Sequence, residues 1–269
     1  MAGVGHKIRH WGSGLVVCCL LLSGCGSAGS KAPGAGNAGS SSGSPTDGTT
    51  TEASTSTTPA VPLLDCPNPG GGLCLGELSA GRYTSQAFHP ALTYVVPRGW
   101  QNMEDLDANL ELLPPNAALA GIDAGTADYI GVYRDVALAD GCPTRAVPGL
   151  ASTPVAMMRH LQERPDLRLV GLRPVRLGGL TGLVADLSQR PAWHRTCPYS
   201  GGQPLSNVLI GVADVGLDHA IIPRQTMRLY LLQYQHVVIA IEVEDVRSAG
   251  LLASYSRIVR TFHFATRRS

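Results

Sequence analysis

Gly81-Arg82-Tyr83-Thr84-Ser85-Gln86-Ala87-Phe88-His89-Pro90-Ala91-Leu92-Thr93-Tyr94-Val95-Val96-Pro97-Arg98-Gly99-Trp100 is the stretch whose reading decides the fold. Its two runs, residues 81–88 and 92–97, are rich in aromatic and β-branched side chains, and they predict two strands around His89-Pro90-Ala91. Gly99-Trp100 closes the second strand.

Downstream, residues 127–136 are strand-like, and Cys142 follows in a turn. Thr153-Pro154 offers an N-cap and a proline at the first helical position. Val155, Met158 and Leu161, with Met157 alongside, recur at helical spacing until Pro165. Residues 167–170 and 174–177 lead through Gly178-Gly179 to residues 180–187, and two glycines between strand-like runs predict a tight hairpin. A polar loop follows, holding Trp193, His194, Cys197 and Tyr199. Runs 208–212, 227–232 and 237–243 are short, β-branched and close together, which favours central antiparallel strands. Leu251, Leu252, Tyr255, Ile258, Val259 and Phe262 form one helical stripe, placed to cover the sheet.

Upstream of the cysteine-bounded loop Cys66–Cys74, the composition changes. From Gly26 to Pro62 it is Gly, Ala, Ser, Thr and Pro, which buries too little apolar surface to order itself. Treated as a flexible tether it spans about 35 Å root-mean-square, with a Ser/Thr/Pro part suited to O-glycosylation. The G-x-G-x-x-G matches at Gly24 and Gly34 and the G-x-S-x-G match at Gly39 lack the flanking strand and helix their mechanisms require. Ahead of the tether, a basic segment (Lys7, Arg9) precedes the apolar run 15–22, the layout of a secretory signal. The run is shorter than the roughly 20 residues a spanning helix needs. It ends in Leu22-Ser23-Gly24-Cys25, which resembles the lipobox of bacterial lipoproteins, whose cysteine is acylated and becomes the first mature residue. The expected organisation is a signal peptide over residues 1–24, a tether over 25–62 and a globular domain over 63–269. The expected location is the outer face of a cell membrane, with Cys25 the lipidated residue holding acyl chains such as palmitate.

Of the 21 basic residues, Lys7 and Arg9 fall in the leader, leaving 19 against 20 acidic ones. That balance gives no reason to expect nucleic acid. Of the seven cysteines, Cys18, Cys19 and Cys25 precede the domain. Cys66, Cys74, Cys142 and Cys197 remain, an even number in an exported domain, which predicts two disulfides. Three connectivities exist. Cys66–Cys74 with Cys142–Cys197 is preferred because the first pair closes a small Pro/Gly-rich loop, and the two closures are worth about 2.5 and 4 kcal/mol. A metal site using His194 is the rival, but no C-x-x-C pair supports it.

The stretch that opens the domain is similar to that of a family of actinobacterial envelope lipoproteins, carried here by Gly81, Tyr83, Phe88, Pro90, Leu92, Thr93, Tyr94, Pro97, Gly99 and Trp100. The likeness runs from about Cys66 to Phe264. It implies a PsbP-like α+β sandwich, an antiparallel sheet carrying helices, and little chemistry, because family members are mostly without an assigned activity.

Catalysis is not expected, since the histidines are scattered and no serine has a nucleophile context. Arg168, Arg173 and Arg176 form either an anion site on one sheet face or a solvated strand face. Glu242, Glu244 and Asp245 lack an EF-hand spacing and read as a solvated strand end. Trp100 and Trp193 are the candidate ligand rim, because large aromatics bury apolar ligand area while keeping a donor. No metal or cofactor is expected. The functional expectation is a lipid-anchored binding or interaction module of the cell envelope, with an unknown envelope protein or lipid as partner. The alternatives are a carrier of an apolar or lipidic ligand in a sheet–helix cleft and, last, an envelope enzyme.

Overall fold

A computed structural model describes residues 63–64, 77–115, 117, 127–142, 145–213, 218–246 and 250–266. The leader, Cys25, the tether, Cys66 and Cys74 lie outside the described residues. At the centre is a seven-stranded antiparallel sheet. Its strands are β4 (Gln101–Asp105), β5 (Asn109–Leu113), β6 (Ile130–Arg134), β8 (Leu167–Leu177), β9 (Leu180–Gln189), β12 (Thr226–Tyr234) and β13 (Val237–Asp245), in the order β4-β5-β6-β13-β12-β9-β8. β13 and β12 sit in the middle, where both faces are covered, so their apolar runs are nearly continuous rather than alternating.

One face is covered by a small sheet and a helix. The sheet is β1 (Leu63–Leu64), β2 (Gly81–Thr84), β3 (Leu92–Val96) and β14 (His263–Phe264), in the order β1-β2-β3-β14. The helix is α2 (Leu251–Val259). On this side Ile239, Ile241 and Val243 pack with Tyr94, Trp100, Tyr255 and Phe262. The opposite face is covered by β7 (Val136–Leu138), β10 (Ser206–Gly211) and β11 (Asp218–Ile221), with helix α1 (Pro154–Glu163). Here Val238 and Ala240 pack with Met157, Met158, Leu161 and Leu209. The alternation of side chains along β13 therefore feeds two separate cores.

The fold is α+β and mostly antiparallel, with each face closed by a sheet as well as a helix. Among the described residues there is one disulfide, Cys142–Cys197, with S–S 2.09 Å and Cα–Cα 5.3 Å. It ties the turn after β7 to the loop after β9. Residues 167–177 form one strand with a bulge between Val170 and Arg173, not two runs. That bulge also settles the arginines. Arg168 and Arg173 stand opposite Ser188 and Val184 on one face, whereas Arg176 stands opposite Thr181 on the other, so the three do not gather. Val155 is 57% exposed, and Pro154 takes its place in the buried face of α1.

Candidate functional site

The groove between β3 and α2 is built from the stretch that opens the domain. Along β3, Leu92, Tyr94 and Val96 point into the core and leave Thr93 and Val95 half-exposed. The chain then turns at Gly99, whose φ of +87° is open to glycine at little cost. This turn returns Trp100 to the core, with Leu78 N donating to Trp100 O at 2.6 Å and Gly99 N to Leu78 O at 3.1 Å. The indole is buried and meets Tyr255 of α2 edge-on, with ring centres 5.2 Å apart. At the end of α2, Thr261 Oγ1 accepts from Val95 N at 2.9 Å and donates to Ile258 O at 2.7 Å, tying the helix to the strand. What remains between them is an open groove of about 810 Å³, walled by Val95, Val96, Pro97, Trp100, Tyr255 and Ile258. Ser254, Arg257 and Thr261 add its polar groups, and the Ser254 hydroxyl donates to Leu251 O. The groove offers apolar area and one charge, which suits holding a molecule more than transforming one.

Trp193 lies elsewhere. Its indole donates to Leu205 O at 3.2 Å, the Arg195 guanidinium stands 5.2 Å from its ring centre, and it lines two smaller clefts of about 390 and 420 Å³. The first of these carries the Cys142–Cys197 bond on its wall. Trp100 and Trp193 therefore do not share a rim.

Glu242, Glu244 and Asp245 are all buried, not a solvated strand end. Glu242 and Glu244 face the three-stranded sheet, where the His219 Nδ1 of β11 lies 2.5 Å from Glu242 Oε2. Tyr129 donates to the same oxygen at 3.0 Å, and Tyr133 donates to Glu111 Oε1 at 2.8 Å. Gln225 Nε2 donates to Glu244 Oε2. Burial alone would lower the His219 pKa, but the Glu242 charge and hydrogen bond, reinforced by Glu111 and Asp218, raise it. Burial raises Glu111 against the pull of His219 and Tyr133. Glu244 is pushed well up by burial and then by Glu242 beside it. Among the described residues, one oxygen each of Glu242 and Glu244 finds no partner, and neither touches solvent. A substrate cannot reach carboxylates so enclosed, and the network's work is to pin β11 to the central sheet. Among the described residues no group of three or more His, Cys, Asp or Glu is placed to hold a metal ion, and no helix is long and apolar enough to cross a membrane.

Sequence reasoning found Trp100 but missed Arg257, Thr261 and the buried Glu–His–Tyr network. The available signal for the network was a pair of glutamates two apart in an otherwise apolar run, the mark of a strand face that meets a second layer.

No family model and no curated protein sequence matches the chain. Solved structures resemble it distantly. The cyanobacterial PsbP (CyanoP) of Synechocystis has a TM-score of 0.34 and 11% identity, over 70% of this chain and 94% of that one. The Saccharomyces cerevisiae Ran-binding protein Mog1p has a TM-score of 0.34 and 12% identity, over 69% and 96%. A Bacteroides thetaiotaomicron protein has a TM-score of 0.30 and 11% identity, over 65% and 46%. Likeness at this distance transfers no function to the chain.

Proposed function

We propose that this chain is a lipid-anchored binding module on the outer face of a cell membrane, and that the groove between β3 and α2 seats an apolar small molecule. The observation that carries the seat is the groove itself. Its volume of about 810 Å³ lies in the range of about 300–1,000 Å³ typical of small-molecule sites, and its walls are the apolar and aromatic kind such sites use. The anchor rests on the lipobox-like Leu22-Ser23-Gly24-Cys25 after a short basic and apolar leader, and the tether over 25–62 gives the domain reach from the surface. The likeness to actinobacterial envelope lipoproteins supports the same placement.

Native mass spectrometry of the full-length protein taken from its own envelope tests the seat. A co-purifying apolar molecule is expected, and a clean unliganded mass counts against it. Labelled palmitate should enter the wild-type chain and vanish in Cys25→Ala. Label persisting in that variant overturns the anchor.

A second reading, contact with an envelope protein, is favoured by one feature of β8. It forms one edge of the seven-stranded sheet and exposes Val170 at 43% and Leu172 at 40%. Alanine at both positions would then abolish partner cross-linking while leaving any bound small molecule in place.

A further inference from the structure

Resting on the groove as the ligand seat, we infer that its occupant is a long-chain fatty acid, with the carboxylate at Arg257 and the chain lying along Val95, Val96, Trp100 and Tyr255. Arg257 is the charged residue among those that line the groove. It is exposed on α2 and has no ion-pair or hydrogen-bond partner among the described residues.

The groove's surroundings carry the same sign. Arg82 stands directly across the β2–β3 ladder from Val95 and so shares the face of that groove residue. It is exposed and, among the described residues, unpaired. Arg260 follows Arg257 by three positions, the spacing of neighbours on a helix surface. Glu77, whose carboxylate lies beside Gly99, belongs to the Trp100 turn and does not line the groove. An apolar trough with unneutralised guanidinium groups is complementary to a single apolar chain with an anionic head. The planar fork of arginine fits the two oxygens of a carboxylate. The groove's size suits one small molecule rather than a segment of protein.

Three consequences separate this occupant from any other apolar guest. Affinity should rise roughly fourfold for each methylene added to the chain while the groove has room. Capping the carboxylate as an ester should weaken binding about tenfold, the loss of one charge-assisted contact. Removing the guanidinium should cost the acid the same factor and cost the ester nothing.

The test uses the full-length chain carrying Cys25→Ala, so that no acyl chain of its own competes, stripped of lipid and titrated by calorimetry with oleate and with methyl oleate. Oleate should bind about tenfold more tightly than its ester. Arg257→Gln should cut that difference to threefold or less, Arg82→Gln should reduce it two- to threefold, and Ser254→Trp, which fills the groove, should abolish both. Circular dichroism confirms that each variant is folded. If acid and ester bind alike and Arg257→Gln changes neither, the fatty-acid assignment fails while the groove remains a seat. If neither ligand binds, or Ser254→Trp leaves binding intact, the groove is not the seat and both readings fall.

Discussion

Gly131 shows how one absent methyl group sets a buried network. It stands in register between Glu111 on β5 and Glu242 on β13, so two carboxylates and a glycine share one sheet face across three strands. A Cβ at Gly131 would sit 2.0 Å from the Tyr133 hydroxyl and 2.4 Å from its ring carbon. The ring therefore lies over the glycine, and its hydroxyl reaches Glu111. Gly131→Ala should cost about 2–3 kcal/mol by overpacking, and far less in a Tyr133→Val background, where the ring is gone. Urea unfolding of the four chains in a double-mutant cycle measures this, and strict additivity would refute it. None of this was legible in the sequence, where a glycine inside a strand reads only as a weak point. Nor was the burial of Glu242 and Glu244, because a strand's pattern shows two faces but not what covers them. Trp100 was legible as a residue type. Its groove was not, because it depends on a helix more than 150 positions away in the chain.

Elements that rest on local chemistry were read well. Gly178 and Gly179 have φ of +59° and +91° and close a two-residue hairpin with Leu177 opposite Leu180, as a paired-glycine turn requires. Thr153 caps α1 with its hydroxyl accepting from Ala156 N at 3.3 Å, ahead of Pro154. Thr153→Ala should therefore lower stability by about 1 kcal/mol, whereas Val155→Glu, at a position 57% exposed, should stay within about 0.5 kcal/mol of wild type. Thermal melts of both decide it, and a larger loss at Val155 would mean that α1 is rotated. The Cys142–Cys197 bond closes a separation of 55 residues. Replacing both cysteines by serine should cost about 4 kcal/mol in the chain-entropy account, read as a fall in urea midpoint that reductant reproduces in the wild type. Elements stabilised by buried polar groups escaped the sequence reading. β4 and β5 carry Asn102, Asp105, Asn109 and Glu111, all buried, which breaks any apolar pattern. Asp105 explains itself only in three dimensions, where its carboxylate accepts backbone N–H groups from Gln86, Ala87 and Phe88 at 2.5–3.1 Å and fixes the loop before β3. β11, four residues led by Asp218 and His219, has the same disguise.

Across the whole molecule, the two cores differ in what holds their outer layers. The face bearing α2 closes with aromatic packing, as in the Trp100–Tyr255 and Tyr94–Phe262 pairs. The face bearing α1 and the three-stranded sheet contains the protonatable network, and this gives the fold an uncommon dependence on pH. His219 holds its proton more tightly folded than unfolded. Its contribution is complete below the unfolded value of about 6.5 and is lost as pH climbs through the raised one. Glu111 and Glu244 are likewise raised, the reverse of the usual paired carboxylate. Each is best accommodated below about 4.5 and costs stability as pH rises above it. Glu111 and Glu244 thus make the folded chain bind more protons than the unfolded one as pH rises above about 4.5, and His219 adds to this above about 6.5. A surplus of one proton lowers stability by about 1.4 kcal/mol per pH unit, so the urea midpoint should fall as pH is raised from about 5 to 8. Glu244→Gln, which keeps the contact with Gln225 but cannot ionise, should flatten the decline and leave the chain about 1 kcal/mol or more stabler than wild type at pH 8. His219→Gln should remove the part of the slope above about pH 6.5. A midpoint flat across this window would mean that these groups titrate unfolded and folded alike, and one that rises with pH would mean that the folded chain binds fewer protons than the unfolded one; either outcome overturns the assignment.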